Sequence, residues 1–592
     1  MLVVAASADA LEEPERSRFL NQPAAAIGAR HLRVEIQHPL QPSSVESAAR
    51  ERTLDLASRD GLLELKRSTE GLLALGVLQD AYEEAHPEHV LPFPSDVSSA
   101  GKRRALREVV SLTDALLAGT TGAERERAQL QLLELVNAVQ NSFRYPVKKS
   151  YQLIPEIVPM LLLKARQHRS VEPEAGPESD PPPSSFWAPS GDLRAKDLYA
   201  GFGRSALPQA ASSTCTYLAP KTGWGAHPGF QVRCGEAELR FKLGDERYGG
   251  PFNTRIFDAL GYRTHPIDAA PAMRVAYDRR MLTEFHSRKR LSMKAKLLFI
   301  PVKTHVVTDE DDPFDLIDHA LLKDGSTVSA AELRRGLLGD GQTYRADYES
   351  RIEALVWKPG TVAFESDDVK QIGAWDYDQL DHAERREVRG VFVLAAWLDQ
   401  CNMRWENTRL AYVKRSGEWE LQHLFSDVGS GLGLAQNMMK GRNSDVEAML
   451  WEVTEQKDGQ VRFSGFAPNV DNDAFGHLTW SDARWMLRQM AAFSEAQILD
   501  GLLATGMSAA EVRLALEKLL SKRKKMVLDF GLAAEFPELA GRNVDRLLDF
   551  DPRDPAQLAR VTRKARDGSL VAPPIGDQVV VDGHLVPLGQ QP

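Results

Sequence analysis

Residues 394–413, LAAWLDQCNMRWENTRLAYV, close an apolar helical stretch, cross a short polar loop and enter a strand-like run. After a turn, residues 421–433 read LQHLFSDVGSGLG, so that Asp427 is followed by Gly429, Gly431 and Gly433. A hard divalent cation asks for oxygen ligands, and an amide on one loop facing a carboxylate on another is such a pair. Asn407 and Asp427 have those groups at the right places in the two loops. Taken singly, an asparagine or aspartate in a loop caps a turn; the order in which these residues follow one another gives them more weight.

The preceding chain supplies the other half of a nucleotide site. KTGWGAHPGF (221–230) sets Gly223, Gly225 and Gly229 between two strand-like runs. Glycines in a hairpin turn let backbone N–H groups approach a polyphosphate, because no Cβ intervenes. Lys242, 19 residues after Gly223 on the next strand-like run, is flanked by apolar positions. A lysine there is ordinarily a snorkelling edge residue; beneath a glycine hairpin it can instead reach phosphate oxygens.

The segment from about 193 to 540 resembles an atypical bacterial protein-kinase-like fold, distantly similar to HipA-type and spore-coat kinases. The matching residues are NTRIFDALGY (253–262), RREVRGVFVLAAWLDQ (385–400), RWENTRL (404–410) and SDVGSGLG (426–433). The resemblance implies an α+β bilobal kinase-like fold, with ATP and Mg2+ as cofactors. Gly223, Gly225, Gly229 and Lys242 would hold the nucleotide, Asn407 and Asp427 the metal, and Arg404 the charge on a transferred phosphoryl group. Two positions depart from the pattern. Five residues before Asn407, where such a fold carries the aspartate that accepts the substrate proton, stands Asn402, and a neutral amide cannot be that base. The helix glutamate that would pair with the strand lysine has no clear counterpart, Glu246 being only nearby. Asp399, one helical turn before Asn402, is a stand-in base or a helix cap.

At 592 residues the chain is too long for one core. Residues 1–43 read as a lead-in, with a small-x-small end at Ala8 and Ala10 like the tail of a signal peptide; export to the periplasm or beyond is slightly favoured over the cytoplasm. Residues 44–170 repeat apolar positions at three- and four-residue steps and read as an all-α domain of four to six helices. Residues 171–192 have the proline-rich composition of a linker. A β-rich lobe follows over 193–370, an α-rich lobe over 371–540, and a tail over 541–592 with a hairpin at Asp582-Gly583. Thr479-x-x-Asp482 and Ser508-x-x-Glu511 resemble capping boxes.

A net charge of −10 argues against dedicated nucleic-acid binding, and no apolar run is long enough to span a membrane. Residues 274–296 hold eight Lys/Arg against two acids, either a solvated face or a surface for a protein partner or anionic ligand. With three cysteines, Cys215 and Cys234 read as two half-buried thiols, cross-strand pairing being the alternative. The reading is a kinase-like nucleotide-binding protein, a pseudokinase or unconventional phosphotransferase or nucleotidyltransferase. The alternative is a non-catalytic scaffold or envelope-associated protein that works through its helices and basic patch.

Overall fold

The computed structural model describes residues 33–36, 52–85, 99–149, 179–200, 213–221, 227–244, 247–270, 272–284, 290–297, 300–307, 312–339, 343–364, 366–432, 454–457, 460–463, 466, 472–507, 509–540, 578–581 and 584–587. Two short strands, β1 (Arg33–Ile36) and β2 (Arg52–Asp55), pair antiparallel and lead into three long helices, α1 (Arg59–Ala85), α2 (Ala100–Leu117) and α3 (Gly122–Lys149). Ser99 starts α2 by accepting from the Lys102 N–H at 3.1 Å, and Ala105, Leu106, Val109 and Leu116 line its buried stripe.

The middle of the chain is mostly sheet. Strands β3 (Thr216–Pro220), β4 (Gly229–Cys234) and β5 (Ala237–Leu243) run as a meander into helix α4 (Gly249–Ala259). There follow β6 (Arg263–Thr264), β7 (Ile267–Ala270), β8 (Met273–Ala276), the hairpin β9 (Arg290–Leu297) and β10 (Ile300–Val307), then β11 (Ile317–Leu322), β12 (Thr327–Ser329) and α5 (Ala330–Leu338). Strands β13 (Ile352–Trp357), β14 (Gly360–Phe364) and β15 (Val369–Gly373) close the region. One sheet runs β3-β4-β5-β14-β7 and a second β12-β11-β13-β8, and the two share a core built on Phe230, Phe241, Trp357 and Val362. The pairing of β5 with β14, more than a hundred residues later, puts Lys242 in the interior of the first sheet.

Helix α6 (Arg386–Leu398) is buried at almost every position from Val388 on, as expected for a helix that is apolar all round. Strands β16 (Thr408–Arg415) and β17 (Glu418–Phe425) form the order β15-β16-β17-β6. After the pair β18 (Thr454–Lys457) and β19 (Gln460–Phe463), helices α7 (Trp480–Ala491), α8 (Glu495–Leu503) and α9 (Ala509–Asp529) pack around α6. Thr479 and Asp482 do form a capping box at the start of α7; Ser508 lies outside the described residues. Strands β20 (Gln578–Val581) and β21 (His584–Pro587) pair as the expected hairpin.

Three features differ from the sequence reading. First, the 44–170 region read as all-α with four to six helices holds strand β2 and, among the described residues, three helices, and these helices do not stand apart. Their core takes in Ile372, Leu410 and Tyr412 from β15 and β16. Gly101 approaches so closely that a Cβ there would sit 2.0 Å from the Gln371 carbonyl oxygen. Asn141 donates to the Ala374 carbonyl and the Gln379 side chain, both at 2.9 Å. Second, residues 179–192 are not a free linker. Phe186 and Trp187 are buried, and the Trp187 indole donates to the Leu260 carbonyl at 2.7 Å. Proline richness excludes regular structure but does not keep two aromatic rings out of a core. Third, Cys215 and Cys234 are a disulfide rather than two thiols, joined across the ends of β3 and β4. The preference for thiols rested on an unknown compartment; the strand register, with Thr216 opposite Arg233, sets these residues opposite one another. Cys401 is a buried free thiol.

Candidate functional site

The site forms where β5, α4, the chain before β16 and the chain after β17 come together. Gly229 pairs with Lys242 in the β4–β5 register, and a Cβ at 229 would stand 2.2 Å from the Phe241 carbonyl oxygen. The strands can therefore lie this close only with glycine at 229. Gly223, Gly225 and Glu246 lie outside the described residues. The Lys242 ammonium is 4.0 Å from Asp427 Oδ1, with the two side chains 26% and 37% exposed.

Asp427 is set by backbone geometry. The Asn407 carbonyl accepts from the N–H groups of Ser426 and Asp427, at 2.8 and 3.2 Å, tying the two loops together. The Asn407 amide NH2 donates to the Asn402 carbonyl at 3.1 Å, which leaves its oxygen as the atom to face a cation. Asn402 and Arg404 are half-buried on the same loop. An amide oxygen and a partly exposed carboxylate fit a hard oxygen-seeking cation such as Mg2+.

Two side chains outside the sequence reading hold the Asp427 loop from behind. Asn253 of α4 donates to the Val428 carbonyl at 2.7 Å, and the buried Gln400 donates to the Asp427 carbonyl at 3.3 Å. Gly249 and Gly431 permit the contact: a Cβ on Gly249 would lie 2.4 Å from the Gly429 carbonyl oxygen, and one on Gly431 2.3 Å from Asn253 Nδ2. The signal for Asn253 is present in PFNTRIF, where one amide interrupts the apolar face of a helix. Asp258 is the one acidic residue of α4, at its far end, so among the described residues Lys242 faces Asp427 rather than a helix glutamate.

Asp399 is elsewhere. It ends α6 in left-handed backbone (φ 57) and is wholly buried, with its carboxylate 3.0 Å from the Lys522 ammonium of α9. Asparagine and aspartate tolerate that backbone better than other side chains do. Its position is that of the cap, not of a base facing a substrate. Three of the eight basic residues of the 274–296 stretch have acidic partners. Arg274 pairs with Glu353 at 2.8 Å, Arg280 with Asp278 at 2.8 Å, and Arg279 with Glu349. Bonds from the Arg279 guanidinium, opposed by partial burial and joined by the Tyr277 hydroxyl, hold the Glu349 carboxyl below its ordinary range.

No protein-family description and no curated protein matches the sequence. Among solved structures, the chain is similar to the crystal structure of the Golgi casein kinase with Mn/ADP bound, at 9% identity and a TM-score of 0.27, over 66% of this chain and 90% of that one. At that score the geometry stands by itself. The architecture is a mixed α+β one, and no helix among the described residues is long and apolar enough to cross a membrane.

Proposed function

We propose that this is a kinase-like, bilobal nucleotide-binding protein that takes ATP with Mg2+ between Lys242, Asn407 and Asp427. The observation that carries the reading is the 4.0 Å approach of Lys242 and Asp427, residues 185 positions apart in the chain. Lys242 binds phosphate oxygens; Asn407 and Asp427 hold the cation, which offsets charge on the β- and γ-phosphates when bound. Arg404, on the loop between Asn402 and Asn407, faces the transferred group. Asn253 and Gln400 keep the Asp427 loop in place.

Asn402 sits where a proton acceptor is needed, and Asp399 is tied to Lys522 instead of replacing it. A general base is worth about 10²–10⁴-fold. Positioning and electrostatics supply most of the rest of phosphoryl transfer. The protein is therefore a pseudokinase or an unconventional phosphotransferase or nucleotidyltransferase, with binding retained and hydroxyl phosphorylation impaired. The paired state of Arg274, Arg279 and Arg280 weighs against the reading of an envelope-associated binder of anionic polymers. The buried Cys215–Cys234 disulfide supports an oxidising compartment.

Calorimetric titration of ATP, with and without MgCl2, tests the reading on the parent chain, Asp427→Ala and Lys242→Ala. The expected result is magnesium-dependent binding by the parent, lost in Asp427→Ala and weakened in Lys242→Ala. No binding by a folded parent overturns it. An autophosphorylation assay of Asn402→Asp then separates the two forms: a large gain over a silent parent marks a pseudokinase, and an active parent marks a transferase.

A further inference from the structure

We propose that Glu134, His382 and His423 form a buried zinc site that fastens the N-terminal helices to the β15–β17 sheet. The three ligands come from distant parts of the chain: Glu134 from the middle of α3, His382 from the turn before α6, and His423 from β17. His382 Nε2 lies 3.0 Å from Glu134 Oε1, and His423 Nε2 lies 3.2 Å from Glu134 Oε2. One ligand atom from each residue falls within 4.8 Å of the other two. Zinc bonds of about 2.0–2.2 Å in a tetrahedron separate neighbouring ligand atoms by roughly 3.3 Å. The two short contacts run to different carboxylate oxygens, so zinc held by both imidazoles and the carboxylate draws the three groups in from their present spread. Both histidines are almost wholly buried and Glu134 is 15% exposed.

The second observation is on the far side of each ring. His382 Nδ1 is 2.5 Å from the Asp376 carbonyl oxygen, and His423 Nδ1 is 2.9 Å from Ser185 Oγ. Outer partners of this kind orient metal-binding imidazoles and leave Nε2 to the ion. With zinc on both Nε2 atoms, His382 keeps Nδ1–H toward the Asp376 carbonyl and His423 donates Nδ1–H to Ser185. Phe186, stacked on the His423 ring at 3.7 Å between centroids, closes that side. Two imidazole nitrogens select zinc over magnesium or calcium, and three protein ligands leave a fourth position for water.

The test measures metal content and zinc response on the full chain. Protein purified from zinc-supplemented medium, without a metal-affinity tag, should contain about one zinc per chain by plasma mass spectrometry. Chelator-stripped protein should regain thermal stability on addition of ZnCl2. Cobalt substitution should give the visible absorption of a tetrahedral ion. Ser185→Ala, which spares all three ligands, should weaken zinc by about 10–100-fold, and Glu134→Gln should abolish stoichiometric binding. The zinc response should persist in Asp427→Ala, which separates this site from the nucleotide site. Metal-free parent protein whose melting is indifferent to ZnCl2 overturns the proposal, as does zinc retained in full by Glu134→Gln.

Discussion

Replacing Asp399 by asparagine removes one charge from an ion pair that water does not reach. Asp399 Oδ1 and Lys522 Nζ are 3.0 Å apart, with the two side chains 0% and 1% exposed. At an effective dielectric constant of about 20, unit charges at that separation attract by roughly 5 kcal/mol. The attraction is offset by desolvation in the intact pair, but a variant that keeps the lysine loses it outright. Stranding a buried charge in this way costs about 3–5 kcal/mol. Asparagine keeps the shape of the side chain and tolerates the φ of 57° at this cap, so the loss is electrostatic. At about 2–4 °C per kcal/mol for a unit of 150–250 residues, the Tm of the α6–α9 region falls by about 6 °C or more. Adding Lys522→Met removes the stranded ammonium and should recover most of that loss. Scanning calorimetry on the parent, Asp399→Asn, and Asp399→Asn with Lys522→Met provides the reading. Titration of Mg·ATP below the transition should show the parent affinity in Asp399→Asn, since this residue does not face the nucleotide. A single variant that melts with the parent while losing phosphoryl transfer would refute the reasoning and make Asp399 a base. A double variant no more stable than Asp399→Asn alone would also refute it.

Three further outcomes follow from other parts of the molecule. Gly249→Ala forces a methyl group against the Gly429 carbonyl oxygen, a cost of about 1–3 kcal/mol because backbone lies on both sides. Differential scanning fluorimetry should show a lower Tm together with weaker Mg·ATP binding, whereas Gly476→Ala, with open space around it, should change neither. Replacing Cys215 and Cys234 together by serine removes a cross-link between residues 19 apart and should cost about 3 kcal/mol, read as a lower urea midpoint for the β3–β14 sheet. Burial alone would push the Asp482 carboxyl up, but bonds from Arg389 and Thr479 hold it below its ordinary range. A depressed carboxyl stabilises the fold above the unfolded-state value near 4 and loses that contribution as pH falls through the folded value. Asp482→Asn should therefore be less stable than the parent at pH 7, with the difference shrinking below about pH 4 in a Tm series against pH.

Much of the local structure was legible because it is written in nearest neighbours. The alternation in FQVRC and ELRFKLG and the continuous apolar run before residue 399 gave strands and a buried helix, and Thr479 and Asp482 announced a helix start. The two loops that carry Asn407 and Asp427 were legible through the order of polar and glycine residues. Asn253 and Gln400 were not singled out, since an amide inside an apolar helix has no stated partner until the other segment is in place. The burial of Phe186 and Trp187 was hidden by the prolines around them.

Composition, periodicity and motif order by themselves determined that the chain mixes helices and sheets, and which residue types could grip a phosphate and a cation. Tertiary structure alone decided which of those residues meet. It brought Lys242 to Asp427, and it turned Asp399 toward Lys522. It also set Glu134 between two histidines some 250 and 290 residues away. Such pairings depend on the closure of long loops, whose entropy grows only slowly with length. A contact across three hundred residues costs about 2 kcal/mol more in loop closure than one across thirty, which tertiary packing readily offsets, and nothing in the spacing of the sequence marks which will form.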